Sequence, residues 1–117
     1  MAIALDIVGV VATGTGATTP TCSITGIASG STIILCTSAE DGSASDIVIT
    51  GVSSDIDGAF SKAKAQILTV GNTNSAEIWY KSNCTAGDHV ITVTFTGAVN
   101  GHCLIAVSWT GLSNTGQ

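Results

Sequence analysis

The chain has no arginine, and Lys62, Lys64 and Lys81 are its only lysines among 117 residues. Against eight acids this leaves a formal net charge of −5. Binding to nucleic acid needs a basic footprint on the phosphate backbone, and an anionic membrane surface makes the same demand, so the composition argues against both partners. Charge is scarce altogether, at 9% of residues against about 25% in an average soluble domain. Although 44% of residues are hydrophobic, no apolar run approaches the roughly 20 residues of a membrane-spanning helix. The first 16 residues lack a positively charged start and carry Asp6 within their apolar part, which argues against a cleaved signal peptide.

Catalytic signatures are missing too. The two histidines, His89 and His102, have no GxSxG elbow to serve, so a hydrolase built on one of them with Asp88 and a serine lacks its nucleophile. Both follow turn residues and read as exposed. There is no GxGxxG or P-loop to cradle phosphate. Asp55-Ile56-Asp57-Gly58 looks like half a calcium loop, but the EF-hand spacing with its terminal Glu is absent. A solvated turn is expected there, its aspartates bonding their own backbone. Glu40, Asp41 and Asp46 form a second acidic patch at a turn. None of Cys22, Cys36, Cys84 and Cys103 belongs to a CxxC pair. Reduced thiols are the first reading, one bridge between neighbouring strands the second. We therefore expect no enzyme, no cofactor and no metal.

What the chain does have is strand pattern. From His89 to Thr96, Ile91, Val93 and Phe95 fall on one face and Val90, Thr92, Thr94 and Thr96 on the other, the period of two that defines a β-strand. This run is the middle of three strands predicted over residues 75–112, the stretch that also holds both tryptophans and the only tyrosine. Upstream strands are predicted over residues 1–8, 21–27, 31–38, 46–52 and 59–70. In the first, Ile3, Leu5 and Ile7 share one face. Residues 31–38 form a near-continuous apolar run, the pattern of a strand buried on both faces. Over 59–70 a helix capped by Asp57 competes with a strand, and alternation of Phe60, Lys62, Lys64 and Gln66 against Ala63, Ala65 and Ile67 favours the strand. Residues 9–20, rich in Gly, Thr and Ala, read as a long loop or an extended arm. The sum is one all-β domain over residues 1–117: an antiparallel two-sheet β-sandwich, jelly-roll-like, of about eight strands.

IALD near the start, STIILCTSAEDGS in the middle and SAEIWYKSNCTAGDHVITVTFTGAVNGHCLIAVSWTGL near the end resemble a β-sandwich module of phage virion proteins and of bacterial and archaeal surface proteins. The correspondence covers most of the chain in order. It implies a jelly-roll-like sandwich with a structural or adhesive role and no catalytic residues. The chain departs from the module in its number of cysteines and in stopping soon after Gly111.

The candidate sites are therefore interface residues. Trp79 lies on the face of Glu77 and Lys81, opposite Ile78 and Tyr80. It is either a core ring with its N–H satisfied or an outward anchor for a partner. Trp109 ends a strand with Cys103, Ile105 and Val107 on one face and Leu104 and Ala106 on the other. Both faces are apolar and both should be covered: packing within the chain's own core is the first reading, and cover of one face by another subunit the second. Val10 and Val11, in the arm, complete the candidates. The expectation that follows is a virion structural protein, above all a phage capsid decoration or cement protein, or a related head or tail component. It would bind itself, with a trimer favoured, and a major capsid or other virion protein, and it would reside in the virion after assembly in the host cytoplasm. The alternatives are an extracellular carbohydrate-binding or adhesin module and a self-polymerising surface filament.

Overall fold

A computed structural model describes residues 2–41, 47–68 and 73–112. Within them the strands are β1 (Ala4–Val8), β2 (Ala12–Gly14), β3 (Thr21–Ile27), β4 (Thr32–Asp41), β5 (Ile49–Ser54), β6 (Gly58–Ala59), β7 (Ser61–Leu68), β8 (Thr73–Lys81), β9 (Gly87–Phe95) and β10 (Gly101–Thr110). They form two antiparallel sheets. The larger runs β1-β10-β4-β8-β7, with β2 pairing β10 beyond the end of β1, and the smaller runs β3-β9-β5-β6. The fold is an all-β sandwich, as expected. The eight strands of the sequence reading are all present, and β2 and β6 are additional because three- and two-residue strands leave no periodicity to read.

The core lies between the sheets. Cys22, Ile24 and Ile27 of β3, Ile91, Val93 and Phe95 of β9, and Ile49 and Val52 of β5 meet Ile33 and Leu35 of β4, Leu104 and Ala106 of β10, and Trp79 of β8. Each Ile or Leu fully removed from water here stabilises the fold by about 1.5–3 kcal/mol. The alternation read in β9 holds through its length, and it extends one step further, to His89 on the inner face.

Four local expectations change. The strand placed at 31–38 continues to Asp41, because β10 pairs it as far as Glu40 and β8 as far as Asp41. Two-sided ladder pairing thus outweighs the turn composition there. In β1 a bulge between Leu5 and Ile7 puts Leu5 opposite Trp109 and Ile7 opposite Ser108. Those two residues therefore do not share a face. In β7 a bulge between Lys62 and Lys64 turns Lys62 inward beside Trp79 and Lys64 outward beside Ile78, so the two lysines are on opposite faces too. Residues 9–20 lie on the chain's own sandwich. Gly9 N donates to Ala106 O, Val10 N to Ser23 O and Gly16 N to Val99 O, while Pro20 O and Thr18 O accept from Val93 and Phe95. A free arm would have left these backbone groups to water. Asp46, the first half of the turn read at residues 71–74, and the C-terminal end of the strand read at 59–70 lie outside the described residues, while residues 73 and 74 begin β8.

Candidate assembly surface

The larger sheet has one face on the core and one that none of the described residues covers. Its outer residues follow from register. Val8, Val107, Ile34 and Tyr80 stand side by side on β1, β10, β4 and β8. Beside them run Ile105, Cys36 and Ile78, and at the corner Leu5 faces Trp109. Leu5, Val8, Ile78 and Tyr80 are 51%, 56%, 42% and 39% exposed. Cys36 is exposed as well, and Ile34, Ile105, Val107 and Trp109 are half-buried. Sheets that face water normally carry polar side chains on that face. Here, among the described residues, the outward charges are Lys64 on the edge strand β7 and Glu40 near the end of β4.

This arrangement corrects the candidate interface residues. Leu104 and Ala106 are fully buried on the core face of β10, so the open face belongs to Cys103, Ile105, Val107 and Trp109. Both faces of β10 are apolar in sequence, and only the register of the whole sheet tells which one meets the second sheet. The reading of β4 as buried on both faces is corrected for the same reason: Ile33, Leu35 and Thr37 are inside, while Cys36 and Ser38 are exposed. Trp79 is also inside, with its Nε1 donating to Glu77 Oε2 at 2.8 Å. It is not an outward anchor. Trp109 is on the open face. Val10 and Val11, 72% and 51% exposed, sit where the chain crosses from β1 towards the smaller sheet.

The two edges of the larger sheet differ. Both edge strands carry a bulge, but β7 also carries Lys62 and Lys64, charges that discourage pairing with another chain. Edge strand β1 carries no lysine, and its one acid is engaged: Asp6 Oδ2 accepts from Ala28 N, Ser31 Oγ and Ser108 Oγ at 2.9–3.0 Å. The backbone hydrogen bond from Ala28 is the main cause that holds this carboxyl below its ordinary value; desolvation opposes it, and the two serine hydroxyls add to it. The sequence marked Asp6 only as a polar interruption, and its three donors come from segments far away in the chain.

His89 was expected at the surface and is 1% exposed. Its Nε2 lies 2.9 Å from Thr85 O, which can only accept, so that nitrogen carries the proton. Nδ1 is hydrogen-bonded to Ser54 Oγ at 2.8 Å and lies 3.7 Å from Asp57 Oδ2. Ser54 Oγ in turn takes the backbone N–H groups of Ile56 and Asp57, and Asp57 accepts from both the side chain and the backbone of Thr85. Burial pushes the Asp57 carboxyl up, and the two Thr85 hydrogen bonds, with His89 and Cys84, outweigh it and hold the group below its ordinary value. Asp55 accepts from Val90 N. The acidic turn is therefore a clasp onto the start of β9, with Asp55 bonding across to that strand and Asp57 to the turn that leads into it. Ser, His and Asp meet here with the imidazole sealed from solvent and its Nε2 spent on a carbonyl, which leaves no face for a substrate.

His102 is half-buried, its ring packed over Gly14, and its buried Nδ1 has no hydrogen-bond partner among the described residues. The four cysteines are free thiols: Cys22 and Cys84 buried, Cys103 half-buried, Cys36 exposed. Among the described residues no three His, Cys, Asp or Glu side chains come together as metal ligands would. Comparison of the chain with protein-family profiles, characterised proteins and solved structures finds no match.

Proposed function

We propose that the chain is a structural assembly protein, a virion component of the capsid-decoration kind, which stabilises a larger shell through repeated subunit contacts, one of them made by its uncovered sheet face. One observation carries this reading: the row Val8, Val107, Ile34 and Tyr80 presents apolar side chains from four adjacent strands on a face that none of the described residues covers. Contiguous apolar patches on monomeric proteins rarely exceed a few hundred Å², and larger ones mark interaction sites. The resemblance of the sequence to a virion and surface-protein module supports the same direction. A shell protein works mechanically. A rigid sandwich presents a fixed surface, and modest burial at each contact is multiplied by the number of copies bound.

A sugar-binding reading leaned on an outward Trp79, and the buried ring gives it no platform. The test is the composition of particles purified on density gradients from cells that make the chain. The chain is expected in fixed ratio to a shell subunit, at a regular position in electron micrographs. A chain absent from every particle fraction, and monomeric when concentrated, would overturn the reading.

A further inference from the structure

We infer that the uncovered face of the larger sheet is closed by a second copy of this chain, packed sheet against sheet about a two-fold axis near Ile34 and Ile105. This inference rests on the assembly reading and names the partner of its surface. The first argument is geometric. Two sheets pack face to face when their twists match, at about 10 Å separation with strands roughly 30° apart. Two copies of one sheet carry the same twist, and a two-fold contact uses the same patch on both sides, so the face is its own complement.

The second argument is electrostatic. The chain carries a net charge of −5, yet among its described acids only Glu40 lies on this face. Asp6, Asp41 and Glu77 are wholly or partly buried, and Asp55, Asp57 and Asp88 sit at the turn and strand end flanking β9. Only Glu40 and Lys64 border the face among the described residues. A basic partner would call for an acidic surface and an acidic partner for a basic one. An apolar, nearly neutral patch on an acidic protein suits another such patch, and it is where two like-charged copies repel least.

The third argument is size. From β1 to β8, and from Trp109 to Cys103 along β10, the patch measures roughly 19 by 23 Å, or about 400 Å² of flat face per copy. Two such faces bury on the order of 800 Å² before side-chain relief is counted, below the roughly 1,200 Å² at which stable interfaces begin and in the range of weak, transient pairs. The pair is accordingly reversible and concentration-dependent. The sequence favoured a trimer, but a flat face that packs on itself closes as a pair.

Cys36 provides the readout. It is an exposed thiol on the central strand of the sheet, within the patch, and pairing covers it. Sedimentation velocity of the full-length chain is expected to show monomer passing to dimer as concentration rises. Over the same range, the rate at which Cys36 reacts with a soluble disulfide reagent is expected to fall by about tenfold or more, following the fraction paired. Ile34→Glu and Ile105→Glu, which place a charge at the centre of the patch, are expected to abolish the dimer. Ile56→Glu, at an exposed position on the turn after β5 of the smaller sheet, leaves it intact. If a glutamate variant fails to fold, Cys36 protection in the unaltered chain still decides the matter. Three results overturn the inference: a dimer whose Cys36 reacts at the monomer rate, a trimer as the smallest assembly, or a monomer throughout. The two proposals fail separately. A chain found in particles with Cys36 unprotected in the pair keeps the assembly reading and loses this one. A protected pair absent from all particles does the reverse.

Discussion

Trp79 and Glu77 stand two residues apart on the inner face of β8, and the indole Nε1 donates to Glu77 Oε2 at 2.8 Å inside the sandwich. Lys62 reaches the same oxygen at 3.0 Å from the neighbouring strand and lies over the indole ring, 4.8 Å from its centre. The carboxylate is almost wholly buried, while Lys62 is 38% exposed. Glu77 Oε1 has no hydrogen-bond partner among the described residues. A buried charge is tolerated when it is paired and hydrogen-bonded, and removing one partner strands the others.

Glu77→Ala is therefore expected to destabilise the fold by about 3 kcal/mol, since it strands the indole N–H and leaves a gap. Glu77→Gln keeps an acceptor for Trp79 and loses only the partly exposed ion pair, which solvent screens to about 1 kcal/mol or less. Urea unfolding followed by tryptophan fluorescence ranks the two. Equal losses would mean that the indole hydrogen bond contributes nothing.

The clasp at His89 gives a second ranking. Ser54 Oγ serves His89 Nδ1 and two backbone N–H groups. Ser54→Ala leaves these groups without a partner in a buried site and is expected to cost about 2 kcal/mol. Thr50→Ala removes only an exposed hydroxyl hydrogen bond to Thr94 O and should change stability by less than about 0.5 kcal/mol. Urea midpoints measured side by side decide. A Ser54→Ala protein as stable as Thr50→Ala would refute the clasp.

Legibility in the sequence followed the range of the interaction. Strict alternation in β9 survived folding, because each residue's face depends only on its neighbours. The same alternation placed His89 with Ile91, Val93 and Phe95, a signal that outranked its position after a turn. The faces of β1 and β7 were not legible, because a single inserted residue in each bulge reverses the parity of everything beyond it. Asp6 looked like an interruption because its donors, Ala28, Ser31 and Ser108, are brought together only by the fold. For β10 the sequence located a surplus apolar face, and the pairing of five strands was needed to say that Ile105 rather than Leu104 is on it.

Gly9 tests the closure of the sandwich side. A methyl group there would meet Ser23 O at 2.8 Å, Ala106 O at 3.0 Å and Ile24 Cβ at 3.2 Å, contacts that belong to both sheets. The chain cannot yield at this point without losing the Gly9–Ala106 and Val10–Ser23 backbone hydrogen bonds. Gly9→Ala is expected to cost about 1–3 kcal/mol through overpacking. It should also speed hydrogen exchange at Gly9 and Val10 well before that of β9. Unchanged exchange would show that the crossing accommodates a side chain.

Acid stability follows from Asp6 and Asp57, both held below the ordinary value of 3.8 in the folded chain. The unfolded chain then takes up protons first as pH falls. The stability contributed by each carboxylate is present above about pH 4 and is lost as pH drops through the lower folded value. Asp6→Asn and Asp57→Asn are expected to be less stable than the unaltered protein at neutral pH and to lose less on going to about pH 3. Urea midpoints at the two pH values measure this. Parallel losses in all three proteins would mean that neither carboxylate is shifted.

The alkaline side rests on Cys22, whose thiol burial pushes up to about 11 from 9.0. Burial likewise raises Cys84, which also donates to Lys81 O at 3.1 Å. Because the folded values lie above the unfolded ones, the stability these thiols contribute is complete below about pH 9. It is lost as the unfolded chain ionises and pH climbs towards the folded values. Cys22→Ala is expected to lose less stability than the unaltered chain between about pH 8 and pH 10.5. Its baseline at about pH 8 is lowered slightly by the missing sulfur in the core. Thiol counting supplies the independent check. In the dilute native protein Cys36 reacts at once and Cys103 more slowly, while Cys22 and Cys84 stay silent until the chain unfolds. A native protein that titrates all four thiols quickly would remove the burial on which the alkaline prediction depends.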